Sequence, residues 1–160
     1  MEKFQKNIGC EEAFKKVKVY CAYQERCHLE VKDKLYTFGL YPEEVEELIS
    51  RLIEENYLNE ERFAMAFTGG KFRMKKWGKV KIRVELRKKK VSDYCIRKAL
   101  ASLDETAYYN TLQNLFDKRR IEVSREKNAF KRDMAIKAWL LRKGYESDLI
   151  SDLFKNAGET

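Results

Sequence analysis

Three times along the chain, a helix-start signal is followed by apolar residues at i, i+3, i+4 and i+7. This recurrence restricts the fold more than any single motif does. The rows are Val45, Leu48, Ile49 and Leu52; Ile96, Ala99, Leu100 and Leu103; and Ile150, Leu153, Phe154 and Ala157. Each makes one apolar stripe on a helix. Before each row, at matching distances, stands a second apolar set: Leu29, Val31, Leu35; Val80, Ile82, Leu86; Met134, Ile136, Leu140. From Leu35 to Leu86 is 51 residues and from Leu86 to Leu140 is 54, so the repeat is about 50 residues long.

Short turns separate the two sets: KLYTFGLYPEE, ELRKKKVSDY and LLRKGYESDL. Gly39 and Gly144 stand where a helix closes on a left-handed residue, with Lys90 at the equivalent place in the second copy. Pro42 with Glu43 and Glu44, Ser92 with Asp93, and Ser147 with Asp148 are helix-start chemistry, carboxylates lying near the positive end of the dipole. A further helix precedes each pair, through Phe14, Val17, Cys21; Phe63, Phe67, Gly70, Met74; and Tyr108, Leu112, Leu115, Phe116. The Gly69-Gly70 pair marks either a break or a close approach, and is read as part of a continuous helix. The unit is therefore three helices, predicted over residues 11–56, 57–104 and 105–157. With 38% charged residues, seven Gly and one Pro, the expected fold is all-α: three tandem three-helix repeats in an elongated, curved array.

The first ten residues hold Lys3 and Lys6 but no continuous apolar run, and nothing later approaches about 18 apolar residues. Neither signal peptide nor membrane anchor is expected, and the predicted location is cytoplasmic. Cys10, Cys21, Cys27 and Cys95 form no C-x-x-C pair and are read as reduced thiols. Cys27 beside His28, the one histidine, suggests half a metal site, but the remaining ligands of a tetrahedral centre are not evident. No metal, cofactor or catalytic residue is predicted. Gly69, Gly70 and Gly78 match neither a Walker loop nor a dinucleotide fingerprint, and a nuclease would need carboxylates or a histidine base beside a basic groove.

Charge is polarised. From Lys71 to Lys98 thirteen basic residues face Glu85 and Asp93, a local excess of eleven in a chain whose formal charge is +8, leaving −3 elsewhere. Tyr41 to Arg62 is acidic, with eight glutamates against Arg51 and Arg62. Four of those glutamates lie opposite the Val45 stripe and read as a solvent face, not as a metal cluster. So many cations in one repeat repel one another, and a polyanionic partner would relieve that cost. Trp77, inside KKWGKVKIR, either stacks on a base or fills a partner's pocket, or is a core residue pinning the turn. Both readings stay open.

The phrases LIEENYLNEERFAMAF and KKWGKVKIRVELRKKKVSDYCIRKAL resemble the RecX family over about residues 20 to 103. The family pattern maps onto Tyr57, Leu58, Arg62, Phe63, Ala64, Trp77, Gly78, Ile82, Glu85 and Leu86. Asn59 and Glu60 depart from it where two aspartates are usual, and Lys90 departs where Gly is usual.

The resemblance implies a regulator that lies in the groove of the RecA recombinase filament on single-stranded DNA and inhibits strand exchange and ATP turnover. Its activity is binding, not chemistry. Lys75, Lys76, Trp77, Lys79, Lys81, Arg83, Arg87 and Lys88 are the expected contacts to filament and DNA, single-stranded or double-stranded. The protein is expected to act as a monomer away from membranes. The alternative is a nucleic-acid-binding helical protein, acting without RecA and without sequence preference.

Overall fold

The structure is a computed structural model and describes residues 6–158; residues 1–5, with Lys3, lie outside the described residues. Among the described residues there are nine α-helices and no strand: α1 (Cys10–Tyr23), α2 (His28–Thr37), α3 (Pro42–Glu54), α4 (Glu60–Gly70), α5 (Lys79–Lys88), α6 (Asp93–Ala101), α7 (Glu105–Glu122), α8 (Ala129–Lys143) and α9 (Ser147–Gly158). In chain order they form three-helix repeats. A π-helical segment, Lys71–Lys75, follows α4 directly.

Compactness divides the chain into two units. The first is Met1–Ala66 with Leu86–Lys98, the second Phe67–Glu85 with Ala99–Thr160. In the first unit, α1, α2 and α3 pack around Phe14, Val17, Val31, Leu35, Leu48 and Leu52. The Val45, Leu48, Ile49, Leu52 row is wholly buried. The second unit has an aromatic centre: Phe72, Tyr108 and Tyr145 are buried, with ring centroids 5.8 Å apart for Phe72–Tyr108 and 5.3 Å for Tyr108–Tyr145. Replacing a fully buried leucine such as Leu35, Leu48 or Leu140 with alanine would cost about 2–5 kcal/mol.

The expected turns form. Gly39 and Gly144 adopt φ of 79° and 100°, and Lys90 takes φ 61° at the equivalent place. Pro42 opens α3 while Glu44 Oε1 accepts the Tyr41 N–H at 2.9 Å. Ser92 Oγ accepts the Cys95 N–H at 3.3 Å. Helix α9 starts at Ser147, with Glu146 O accepting the Ile150 N–H, so the cap lies one residue before the expected serine.

Three apolar assignments are corrected. Val80 and Met134 are 41% and 49% exposed. The buried pairs are instead Val31/Leu35, Ile82/Leu86 and Ile136/Leu140, because residues two apart lie on different helix faces whereas i and i+4 share one. Met74 is 83% exposed and Phe72 is buried in its place. The helix passes through Gly70 in ordinary geometry (φ −63°, ψ −47°) and then widens into the π turn, which shifts the later residues out of the α-helical register.

Candidate polyanion-binding surface

The π turn ends on Lys76, left-handed at φ 57°, which redirects the chain into Trp77, Gly78 and α5. Within the second unit this corner is fastened to the α8–α9 turn. Gly78 N–H donates to Lys143 O at 2.8 Å and Val80 N–H to Gly144 O at 2.9 Å. Lys79 N–H donates to the Tyr108 hydroxyl at 3.0 Å, and that hydroxyl donates to the Glu146 carboxylate. Tyr145 Oη donates to Lys76 O at 2.8 Å, and Lys143 Nζ to Lys75 O at 3.4 Å. A Cβ on Gly78 would fall 2.3 Å from Gly144 O, so the residue after Trp77 must be glycine for the two backbones to meet.

These bonds decide what the corner can do chemically. The start of a helix offers unpaired N–H groups that suit an anion. Here the amides of Gly78, Lys79 and Val80 are already bonded to protein acceptors. An anion at this corner would meet side-chain cations instead. Burial, followed by the bond to Glu146, pushes the Tyr108 phenol far above its ordinary range. Burial, with the Glu146 charge behind it, raises Tyr145 likewise. Both are neutral hydroxyls near pH 7, as their donor roles require.

Trp77 is half-buried. The Lys71 and Lys81 ammonium groups lie 5.0 and 4.5 Å from its ring centroid, and Lys79 Nζ lies 4.7 Å from that of Tyr108. The tryptophan is thus both a packing residue and a partly open face bracketed by cations. Lys75 and Lys76 are exposed, and Lys79, Lys81 and Arg83 are half-buried. The structure brings Trp77, Lys79 and Lys81 together beside Lys71, with Lys75 and Lys76 on the preceding turn.

Arg87 and Lys88 belong to the first unit, both exposed. Arg87 Nε lies 3.6 Å from Asp93 Oδ1. Nearby cations of the same stretch are also paired: Lys98 Nζ with Glu61 of the acidic stretch at 2.6 Å, and Lys89 Nζ with Glu30, which precedes that stretch, at 3.2 Å. Acidic and basic blocks distant in sequence therefore meet in part. The Glu61 hydrogen bond and charge hold Lys98 above the ordinary lysine range. Glu60 accepts the Ser92 N–H, and Asn59 Oδ1 accepts the Arg62 N–H at 2.8 Å, capping α4 as an aspartate would. Both departures from the family pattern at 59 and 60 thus have structural work to do.

Cys27 Sγ is buried and donates to Glu30 Oε1 at 3.3 Å, and burial pushes its thiol up to about 11. His28 opens α2. Among the described residues no group of three or more His, Cys, Asp or Glu is placed to hold a metal ion, and no helix is long and apolar enough to cross a membrane.

A second cationic stretch has no counterpart in the sequence-based expectations. Lys118 to Lys143 holds ten basic residues against Glu122, Glu126 and Asp133, an excess of seven. The −3 outside Lys71–Lys98 is therefore the sum of this +7 and a −10 remainder. Its signature in the sequence is a local charge excess that the net −3 conceals.

The family model for the second three-helix domain of RecX matches residues 59–100. The regulatory proteins RecX of Bacillus thuringiensis (strain Al Hakam) and Bacillus anthracis (strain CDC 684 / NRRL 3495) are each 26% identical over 145 residues, 90% of this chain and 53% of theirs. The chain thus spans about half the length of these relatives. The crystal structure of RecX from Lactobacillus salivarius has the same fold, with a TM-score of 0.84 at 22% identity over 94% of this chain and 97% of that one. A second crystal structure, of a regulatory protein RecX, gives 0.82 at 19% identity over 91% and 71%. The domain match falls on the anchored cationic corner and the likeness to the Bacillus proteins runs along nine-tenths of the chain, so it is the RecX proteins that this chain resembles in sequence and in fold.

Proposed function

We propose that this protein regulates the RecA recombinase by binding its filament on single-stranded DNA, lowering ATP turnover and strand exchange, and that it works in the cytoplasm by binding alone. The observation that carries the reading is the anchored corner. Lys75, Lys76, Trp77, Lys79 and Lys81 lie at or beside a turn whose backbone amides are occupied, with Arg83 further along α5, leaving cationic side chains and a half-buried tryptophan for a nucleoprotein polyanion. Arg87 and Lys88 extend the proposed contact set.

The test is a titration of RecA-dependent ATPase on single-stranded DNA with the wild type and with Lys76→Glu/Lys79→Glu/Arg83→Glu. The wild type inhibits; the triple variant needs at least 10-fold more protein for equal inhibition. Affinity for coated DNA falls with salt at a slope of about 0.7 per phosphate neutralised on a single strand. Unchanged inhibition by the triple variant refutes the assignment. The rival, a nucleic-acid binder that ignores RecA, requires equal affinity for naked and RecA-coated DNA, whereas the proposed regulator prefers the coated form.

A further inference from the structure

Helix α8 buries Ile136 and Leu140 yet leaves three large apolar side chains in solvent: Phe130 is 73% exposed, Met134 49% and Leu141 51%. At about 100° per residue the three lie within about 40° of one another, on a ridge about 16 Å long. Lys137 flanks the ridge on one side, with Asp133 beyond it, and Lys131 and Arg142 flank it on the other. Among the described residues none of these three cations is paired with a carboxylate; Lys137 Nζ rests 5.1 Å from the Phe154 ring centroid. The ridge lies within the stretch whose basic excess is seven.

We infer that the outer face of α8 is a protein-docking surface, whose partner presents an apolar cleft rimmed by carboxylates. Charge complementarity selects that occupant: three unpaired cations border the ridge, and an acidic rim would neutralise them while the cleft takes up Phe130, Met134 and Leu141. A nucleic-acid backbone offers phosphates but no cleft for Met134 and Leu141, and only Phe130 could stack. Exposed large apolar side chains concentrated on one helix face, with cations at the edge, follow the anatomy of an interface with an apolar centre and a polar rim. Resting on the function proposed above, the inference assigns the division of labour: the Lys75–Arg83 corner meets DNA, and α8 meets the protein coat of the filament.

The test measures binding of full-length wild type, Phe130→Ser/Met134→Ser and Lys76→Glu/Lys79→Glu/Arg83→Glu to naked single-stranded DNA and to the same DNA coated with RecA, with sedimentation of each protein alone. The ridge variant, altered only at exposed positions, should keep the wild-type circular dichroism and naked-DNA affinity while losing at least 10-fold on coated DNA. Retention of wild-type affinity for coated DNA overturns the inference, as does an equal loss on naked DNA, which makes the ridge a nucleic-acid contact. A wild-type dimer that the ridge variant abolishes also overturns it, since the occupant is then a second copy. A wild type that never prefers coated DNA sinks the proposed function itself, whereas a preference that survives in the ridge variant sinks only this assignment. Phe130→Leu/Met134→Leu gives an independent check, because retention of coated-DNA affinity in it is expected only if apolar contact is what counts.

Discussion

Lys90 and Gly78 make a contrast that isolates backbone from side chain. Lys90 holds φ 61° at the end of α5, where an L-residue's Cβ crowds the following carbonyl at about 1–2 kcal/mol. Its N–H still closes the turn onto Arg87 O at 2.9 Å. Lys90→Gly relieves the crowding and gives back part of the gain as chain entropy, so a net stabilisation of up to about 1 kcal/mol is expected as a higher urea midpoint at unchanged slope. Gly78→Ala has the opposite outcome. Its new methyl would meet the Gly144 carbonyl at 2.3 Å, and the same measurement should register a loss of at least about 1–3 kcal/mol. The sequence places both residues at turns but shows a reason only for the first, since the neighbour that forbids a side chain at 78 lies 66 positions away.

At the scale of elements, the start of α5 depends on one phenol. Tyr108 accepts from Lys79 N–H and donates to Glu146 while its ring packs between Phe72 and Tyr145. Tyr108→Phe keeps the ring contacts and strands both polar partners, so denaturation should show a cost of about 1–3 kcal/mol, with Glu146→Gln milder because an acceptor remains. Of these helices the sequence makes the number and order legible, because a stripe at i, i+3, i+4, i+7 with a cap before it has one physical interpretation. It is less informative about the helix preceding each stripe: the spacing of Val80 and Met134 suggests core positions, but residues two apart do not share a helix face and both are exposed. The π turn after Gly70 is invisible in the same way, since widening a helix by one residue per turn leaves no mark in composition and only displaces Met74 in favour of Phe72.

For the molecule as a whole, charge is distributed in blocks: +11 over Lys71–Lys98, +7 over Lys118–Lys143 and −10 in the remainder. The first block was legible because it is dense and unbroken. The second disappeared into a sum with the acidic residues, and its apolar ridge reads as core spacing until exposure is known. Alkaline pH tests the state of the thiols. Burial raises Cys21 and Cys27 from 9.0 to about 11. A folded-state value above the unfolded one means stability is intact below pH 9 and is lost as pH rises toward 11. Lys98, raised by Glu61, acts with the same sign at higher pH. The urea midpoint should therefore decline from pH 9 to 11, and in Cys21→Ala/Cys27→Ala the decline over that interval should be shallower.

The fastening of the cationic corner to the α8–α9 turn has a consequence for biosynthesis. Tyr145 closes on Lys76 across 69 residues, and Lys143 on Lys75 across 68. At a synthesis rate of about 5–20 residues per second, Lys75–Arg83 leaves the ribosome roughly 3–14 s before its clamp exists. In that interval its lysines belong to an unanchored segment, free to meet any nearby polyanion, and only the arrival of the turn after α8 gives that segment a surface of defined shape.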